Sequence, residues 1–127
     1  MTRQGLTLDA GALIALERNE RAVVRMLEVA RDHDIEIVVP AGVVAQVWRD
    51  GRRQSRLAQF LASEAVAIEP LDDMRARAAG QLCGATGTAD VIDASVVLCA
   101  RSRKHRIVTG APEDLRRLDA KVELVEI

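Results

Sequence analysis

The chain has 127 residues, of which 49% are apolar and 29% charged, and its formal net charge at pH 7 is −1. A chain of this length forms one domain, residues 1–127, and can bury a core without disulfides or metals. With one Trp, one Phe and no Tyr, the composition argues against a single-strand binder built on stacked aromatic rings, and the near-neutral charge limits any nucleic-acid contact to a local basic patch.

The predicted elements alternate between strands and helices. This alternation predicts an α/β fold, a three-layer α/β/α sandwich on a mainly parallel sheet of four to five strands. The predicted order is strand 5–9, helix 10–17, helix 20–31, strand 35–39, helices from 41 and over 52–63, strand 65–69, helix 72–82, a turn at 84–87, a helix with two acids near its start, strand 106–109, helix 113–118 and strand 122–125.

Asp9 lies at the carboxyl end of the first predicted strand and at the amino end of the first predicted helix. Ligands bind at the carboxyl edge of a parallel sheet, so Asp9 is a candidate site residue. The alternative is a plain N-cap, in which the carboxylate accepts hydrogen bonds from free helix N–H groups. Asp9 taken alone does not distinguish between these two interpretations.

Four arginines, Arg49, Arg52, Arg53 and Arg56, follow the second predicted strand. Arg52 and Arg56 are one helical turn apart, as are Arg49 and Arg53, and such a face can follow an RNA backbone. The alternative is a solvated helix face, and Arg49 is also a candidate partner for the acids of the site. Trp48 is expected on the apolar side of the helix that begins at residue 41.

The stretch 87–112 carries the strongest functional signal. Asp90 and Asp93 are three residues apart and project from one face of a helix that is apolar nearly all round. Carboxylates in such a place need a cation or hydrogen bonds. Two interpretations are open for this pair. Either both acids contribute to a site, or Asp90 is only an N-cap and Asp93 only an acid in the first turn of the helix. Thr109 ends the next predicted strand. Its hydroxyl either positions a water or a ligand, or the residue is an ordinary β-branched residue of the strand.

Cys83 and Cys99 lie in apolar helical stretches without metal-ligand spacing, so we expect two buried free thiols. No apolar run approaches the roughly 18 residues of a membrane span, and no signal peptide is recognised. These features predict a cytoplasmic protein that does not contact a membrane.

Four short segments of the chain carry a family resemblance when they are taken together. They are Leu8-Asp9-Ala10, Val39-Pro40-Ala41 leading to Gln46-Val47-Trp48-Arg49, Asp90-Val91-Ile92-Asp93-Ala94, and Val108-Thr109-Gly110-Ala111-Pro112-Glu113-Asp114-Leu115. In this order and at these separations they resemble the PIN-domain ribonucleases, and most closely the VapC-type toxins of bacterial toxin–antitoxin pairs. The resemblance covers essentially the whole chain.

The resemblance implies a PIN-like fold and a metal-dependent endoribonuclease, the toxin component of a type II toxin–antitoxin system. In the family, acids at one sheet edge hold Mg²⁺ or Mn²⁺ for RNA phosphodiester hydrolysis. Carried over to this chain, the metal ligands are Asp9 and Asp93, with Asp90 as an additional carboxylate. Gln46 and Thr109 complete the implied catalytic set.

Two positions depart from the family pattern. The second acid falls on Gln46, which brings no charge and cannot act as a base, and the fourth falls on Ala111, which offers no ligand. Weaker metal affinity and reduced cleavage are therefore expected. The alternative hypothesis is a catalytically silenced PIN domain that acts as a protein- or RNA-binding regulatory module. A receiver-like phosphoacceptor domain is disfavoured because no lysine stands at the strand end marked by Thr109.

The resemblance also implies three partners. They are an RNA substrate, a cognate VapB-like antitoxin and a second copy of the chain in a homodimer. The antitoxin is expected to pack against the helices within residues 21–30 and 42–62.

Overall fold

The structure is a computed structural model that describes residues 4–127. The predicted succession of strands and helices is confirmed, although the second strand and the last strand each begin two residues later than expected. The elements are β1 (Leu6–Leu8), α1 (Ala10–Glu17), α2 (Arg21–Asp32), β2 (Ile37–Pro40), α3 (Ala41–Val47), α4 (Ser55–Ala62), β3 (Val66–Glu69), α5 (Asp73–Thr86), α6 (Val91–Arg103), β4 (Arg106–Thr109), α7 (Pro112–Leu118) and β5 (Leu124–Glu126).

The strands form one parallel sheet in the order β3-β2-β1-β4-β5. The central strand β1 pairs with β2 on one side, where Leu6 lies opposite Ile37, and with β4 on the other, where Leu8 lies opposite Val108. The chain leaves β1 towards β2 and returns to the other side of β1 only at β4. In open parallel sheets a crevice forms at the carboxyl ends of two such strands.

Helices cover both faces of the sheet, so the predicted three-layer sandwich is confirmed. α1, α2 and α4 pack on one face, and α5, α6 and α7 pack on the other, while α3 contacts both α1 and α6. No single helix within residues 4–127 is long and apolar enough to cross a bilayer, and α5 with α6 meets that test only as a pair bent by 106°.

The core lies between these layers and is built from aliphatic side chains. The strand residues Leu8, Val38 and Ile107 are fully buried, because strands covered on both faces carry continuous apolar runs. The predicted burial of α6 is confirmed along most of its length. Cys83 and Cys99 are buried and free, as expected.

The segment between α3 and α4 differs from the prediction. α3 ends at Val47 and α4 begins at Ser55, so residues 48–54 form a loop, called here the α3–α4 loop. Trp48 is extended, with φ −73° and ψ 127°, and it is exposed; its expected place on the apolar side of a helix is therefore wrong. A buried side-chain amide in the loop, Gln54, replaces helical hydrogen bonds there.

The α3–α4 loop also replaces part of the helix on which a basic face was predicted. Arg49, Arg52 and Arg53 lie in the loop, and Arg56 alone of the four arginines lies in α4. The four arginines therefore do not form one face of a helix, and this prediction is wrong.

The predicted turn at residues 84–87 is also wrong in its extent. α5 continues through Thr86, and Gly87 ends it in the left-handed conformation at φ 71°. Glycine is favoured at this position because it has no Cβ to clash with the backbone.

Candidate functional site

The candidate site lies at the carboxyl edge of the sheet between β1 and β4. Asp9 follows β1 directly, and Thr109 is the last residue of β4. The two chain segments that follow these strands approach closely, because a Cβ placed on Gly11 would lie 3.0 Å from the backbone nitrogen of Gly110. Absence of a side chain at residue 11 thus allows the two ends to meet beside the Asp9 carboxylate.

Asp9 is 4% exposed, and its Oδ1 accepts a hydrogen bond from the backbone N–H of Ala12 at 3.0 Å. It therefore caps α1, as one of the two interpretations predicts. Burial raises the pKa of the Asp9 carboxyl, and the Thr109 hydroxyl and the N–H groups of Ala12, Gly110 and Gly11 offset only part of that rise. Within residues 4–127 no cationic side chain pairs with Asp9. Asp9 is thus both a cap and a buried acid without a counter-charge.

Thr109 is fully buried beside Asp9. Its Oγ1 accepts a hydrogen bond from the backbone N–H of Ala111 at 2.8 Å, which leaves the hydroxyl proton free to be donated. The hydroxyl lowers the pKa of Asp9, which is the effect of a donor on a carboxylate. This arrangement supports a positioning role for Thr109 at Asp9.

Asp90 and Asp93 stand at the start of α6. Oδ1 of Asp90 accepts a hydrogen bond from the backbone N–H of Asp93 at 2.9 Å, so Asp90 is the N-cap. Asp93 is half-buried in the first turn. Burial raises its pKa to about 6, with further contributions from the negative charges of Asp90, Asp114 and Asp9. These carboxylates therefore lie near enough to repel one another.

Asp114 is the residue of this group that the sequence analysis did not select. It lies in the first turn of α7, where its carboxylate contacts the Arg117 guanidinium at 3.7 Å. Packing of α7 against α6 brings its charge to Asp93. The available sequence signal was an acidic first turn after Pro112, which is equally typical of an ordinary helix start.

The two positions that depart from the family pattern contribute little through their side chains. Gln46 is exposed in the last turn of α3, and its amide makes no hydrogen bond with other residues in the described part of the chain. Ala111 precedes α7 and contributes only its backbone N–H to Thr109.

Arg49 does not pair with the acids. Its guanidinium donates hydrogen bonds to the carbonyl oxygens of Ala45 at 3.2 Å and Trp48 at 2.7 Å, which are near the end of α3. The expectation that Arg49 neutralises the carboxylates is therefore wrong.

The donor set suits a hydrated divalent cation. No three Asp, Glu, His or Cys side chains among residues 4–127 are grouped closely enough to hold one ion together. Asp9 and Asp93 are nevertheless two interacting carboxylates, and no cation from the described residues pairs with either. Mg²⁺ keeps several waters and commonly takes one or two carboxylates, so Asp9 and Asp93 are the residues that could hold such an ion.

The fold of the chain is shared with toxin–antitoxin proteins of known structure. A chain of VapBC2 from Rickettsia felis, bound to a promoter DNA fragment, matches with a TM-score of 0.73 at 16% identity over 96% of this chain and 98% of that one. DNA-bound VapBC from Salmonella typhimurium gives a TM-score of 0.73 at 16% identity, with 98% of both chains covered. FitAcB from Neisseria gonorrhoeae gives 0.64 at 17% identity, with 95% and 96% covered.

No protein-family model matches the sequence, and no curated protein matches it. At these identities the structural likeness establishes the fold. The PIN-like architecture expected from the four sequence segments is therefore confirmed.

Proposed function

We propose that this chain is a metal-dependent endoribonuclease, the toxin component of a type II toxin–antitoxin pair. The observation that carries the proposal is the placement of Asp9, Asp93 and two further carboxylates at the carboxyl edge of a PIN-like sheet, where burial and their negative charges raise the pKa of Asp93. Acids with perturbed pKa values in a cleft are candidates for a functional site. The structural neighbours, which include a toxin–antitoxin complex from Klebsiella pneumoniae, add support.

Asp9 and Asp93 would hold Mg²⁺ or Mn²⁺, and Asp90 and Asp114 would add negative charge around them. The ion, when bound, supplies Lewis-acid stabilisation of the phosphodiester and lowers the pKa of the attacking water. The cap on α1 and the Thr109 hydroxyl fix the orientation of the Asp9 carboxylate in advance. Asp93, with a pKa of about 6, is mainly ionised at neutral pH and releases its remaining proton when a cation binds.

Cleavage of single-stranded RNA in Mn²⁺ or Mg²⁺ tests this function. Wild type is compared with Asp9→Asn and Asp93→Asn, and both substitutions are expected to abolish cleavage. Asp73→Asn is the matched control, because Asp73 is an exposed first-turn acid on α5 that pairs with Arg77 at 3.0 Å. Equal activity in wild type and the two site variants would exclude the proposal.

A silenced PIN domain is the second candidate, and a specific observation favours it. The side chains of Gln46 and Ala111 supply no charge, and three ligands are not grouped for a metal within residues 4–127. The double variant Gln46→Glu and Ala111→Asp separates the two functions. A large gain of cleavage from near zero favours silencing, whereas a small change from a substantial rate favours an active enzyme.

An antitoxin-like partner is proposed for the groove between α1, α2 and α4. Two adjoining cavities of about 350 Å³ and 300 Å³ share Val24 and Glu28 in their walls. Arg21, Arg31 and Arg56 border them, and no carboxylate of the described residues forms an ion pair with these arginines. An amphipathic acidic segment suits this groove, because it places apolar side chains on the floor and carboxylates on the rim.

A second copy of the chain is proposed for the opposite layer. A cavity of about 410 Å³ lies between α5 and α6, and Met74, which is 79% exposed, stands at its mouth beside Leu71. In a two-fold dimer an apolar projection next to an apolar cavity is self-complementary. Met74→Asp is expected to convert a dimer into a monomer in analytical ultracentrifugation.

A further inference from the structure

The α3–α4 loop is organised around one buried side-chain amide. Gln54 is 7% exposed, and its Oε1 accepts hydrogen bonds from the backbone N–H groups of Arg49 at 2.8 Å and Asp50 at 3.0 Å. Its Nε2 donates to the carbonyl oxygen of Val47 at 2.8 Å and to the carboxylate of Glu17 at 3.2 Å. One side chain thus joins the loop to the ends of α3 and α1, so the loop has a defined shape before any ligand binds.

This loop presents the chain's one tryptophan to solvent. Trp48 is 39% exposed, whereas Phe60, the other aromatic residue of the chain, is buried. The benzo edge of the indole lies against Gly51, where an added Cβ would be 2.9 Å from Cζ2. Gly51 therefore contacts one edge of the ring, and another part of the ring is exposed to solvent.

The loop is also cationic. Arg53 pairs with Asp50 at 3.8 Å, whereas no carboxylate in the described part of the chain pairs with Arg49 or Arg52. Arg52 thus remains available for a phosphate beside an exposed aromatic ring, and Arg49, whose Nη1 donates to two carbonyl oxygens, keeps Nε and Nη2 for the same purpose.

We infer that Trp48 stacks on one base of a single-stranded RNA whose phosphates contact Arg49 and Arg52. This inference rests on the proposed ribonuclease function and names the substrate contact that the acids themselves do not provide. Base stacking on an aromatic ring beside cationic side chains is how single strands are bound without sequence preference. The low aromatic content excludes a platform for several bases, but one ring suffices for one base.

A protein partner suits this loop less well than RNA does. Apart from Trp48 and Gly51, the exposed loop residues are Arg49, Asp50, Arg52 and Arg53, so the apolar surface is essentially one ring. The fully buried centre of a protein interface is depleted of charged residues. A stacked base buries the ring and leaves the arginines on the phosphates.

The loop contacts the end of α1 that lies opposite Asp9. Gln54 contacts Glu17 at the end of α1, and Asp9 caps the start of the same helix. An eight-residue helix is about 12 Å long, so the base on Trp48 lies outside the reacting centre. Trp48 is accordingly a substrate-binding residue, and its loss acts on RNA affinity.

RNA binding by the Asp9→Asn protein tests the inference without cleavage. The probe is a mixed-sequence 12-nucleotide RNA, and because Trp48 is the only tryptophan, intrinsic fluorescence reports on this ring alone. We expect saturable quenching of the fluorescence. In anisotropy measurements with labelled RNA, Trp48→Ala should weaken binding roughly 5- to 100-fold, which corresponds to one stacked base, and Trp48→Phe should retain most of the affinity.

Two further comparisons distinguish the contribution of the Trp48 ring from that of the arginine charge and from a loss of folding. Gly51→Ala displaces the ring by adding a methyl group against its benzo edge, and it should weaken binding in a protein with unchanged circular dichroism. Arg52→Gln should weaken binding and reduce its salt dependence, whereas Arg77→Gln on α5, matched in charge change, and Ile127→Ala, an exposed apolar residue at the carboxyl end, should have no effect.

The inference is overturned if RNA binds without quenching, if folded Trp48→Ala binds as tightly as its parent, or if a poly-glutamate peptide quenches Trp48 and RNA does not. Failure of the nuclease proposal has a different signature. In that case wild type does not cleave in Mn²⁺, and the RNA affinity still depends on Trp48.

Discussion

The Asp90 carboxylate accepts a hydrogen bond from the backbone N–H of Asp93 at 2.9 Å, and this cap fixes two negative charges within the first turn of one helix. The sequence left open whether these acids form a site or merely start α6. Asp90 does cap α6, and its capping carboxylate is also one of the charges that raise the pKa of Asp93. A favourable cap and an unfavourable repulsion therefore come from the same side chain.

The raised pKa of Asp93 predicts a pH-dependent contribution to stability. Its carboxyl has a pKa of about 6 in the folded chain and an ordinary value near 3.8 when unfolded, so the folded state binds the proton more tightly. The stabilisation is present below about pH 4 and is lost as the pH rises through 6. In the absence of divalent cations, Asp93→Asn should therefore be more stable than wild type at pH 7, and the difference should shrink towards pH 4.

Urea denaturation at pH 4, 5, 6 and 7 measures this difference. Asp73→Asn is the control with the opposite sign, since it removes a first-turn acid that pairs with Arg77, and it should lower stability at pH 7 by about 0.3–1 kcal/mol. A loss of stability in Asp93→Asn at pH 7 would contradict the repulsion described for Asp93.

Metal affinity should depend on Asp114, although this residue is not among the metal ligands that the family resemblance implies. Its charge acts on Asp93, so Asp114→Asn removes attraction for a bound cation, about 1 kcal/mol or roughly fivefold in affinity. Ala111→Asp should strengthen binding, because it adds a carboxylate next to Thr109. Calorimetric titration with Mn²⁺ at pH 7 measures both changes. Asp114→Asn binding Mn²⁺ as tightly as wild type would limit the site to Asp9 and Asp93.

Periodicity and capping residues were sufficient to predict most of the fold. α1 begins and ends where Asp9 and the following apolar run predict, and Pro112 opens α7 as expected. The residues that sequence analysis misplaced depend on contacts between distant segments. Trp48 is exposed because Gln54 reaches Glu17, 37 residues earlier, and closes a loop that helical periodicity does not reveal.

The candidate site also contains residues that local sequence reveals and a residue that depends on contacts between distant segments. Asp9 and Asp93 could be selected as candidates because strand ends and helix starts are visible in the sequence. Asp114 was not selected, because its charge matters only once α7 packs against α6.

A buried hydrogen bond between Thr7 and His105 should contribute to stability. Thr7 Oγ1 lies 3.1 Å from His105 Nδ1, and His105 Nε2 lies 2.8 Å from the Glu36 carboxylate. Burial lowers the pKa of His105, which favours the neutral ring that donates from Nε2 to Glu36 and accepts from Thr7 at Nδ1. Thr7→Val keeps the shape but leaves Nδ1 without a donor, so it should cost about 1–3 kcal/mol.

Thr7→Ser retains the hydroxyl and is the matched control for Thr7→Val in urea denaturation. The serine variant loses only a methyl group, about 1 kcal/mol. If Thr7→Val were as stable as wild type, the hydroxyl would contribute nothing to stability.

The contact between Gly11 and Gly110 gives the sharpest test of how the two strand ends meet. A Cβ on residue 11 would lie 3.0 Å from the Gly110 nitrogen and 3.3 Å from Asp9 Oδ1, so Gly11→Ala must push backbone away and shift the carboxylate. We expect a loss of about 1–3 kcal/mol in unfolding free energy together with weaker Mn²⁺ binding. Gly80→Ala is the control, because Gly80 lies within α5 and, apart from its own helix backbone, no described atom lies within 4 Å of the added Cβ. That variant should gain about 0.5–1 kcal/mol through helix propensity and leave Mn²⁺ binding unchanged. A Gly11→Ala protein that matches wild type in both measurements would mean that β1 and β4 tolerate a wider gap, and that the position of Asp9 does not depend on it.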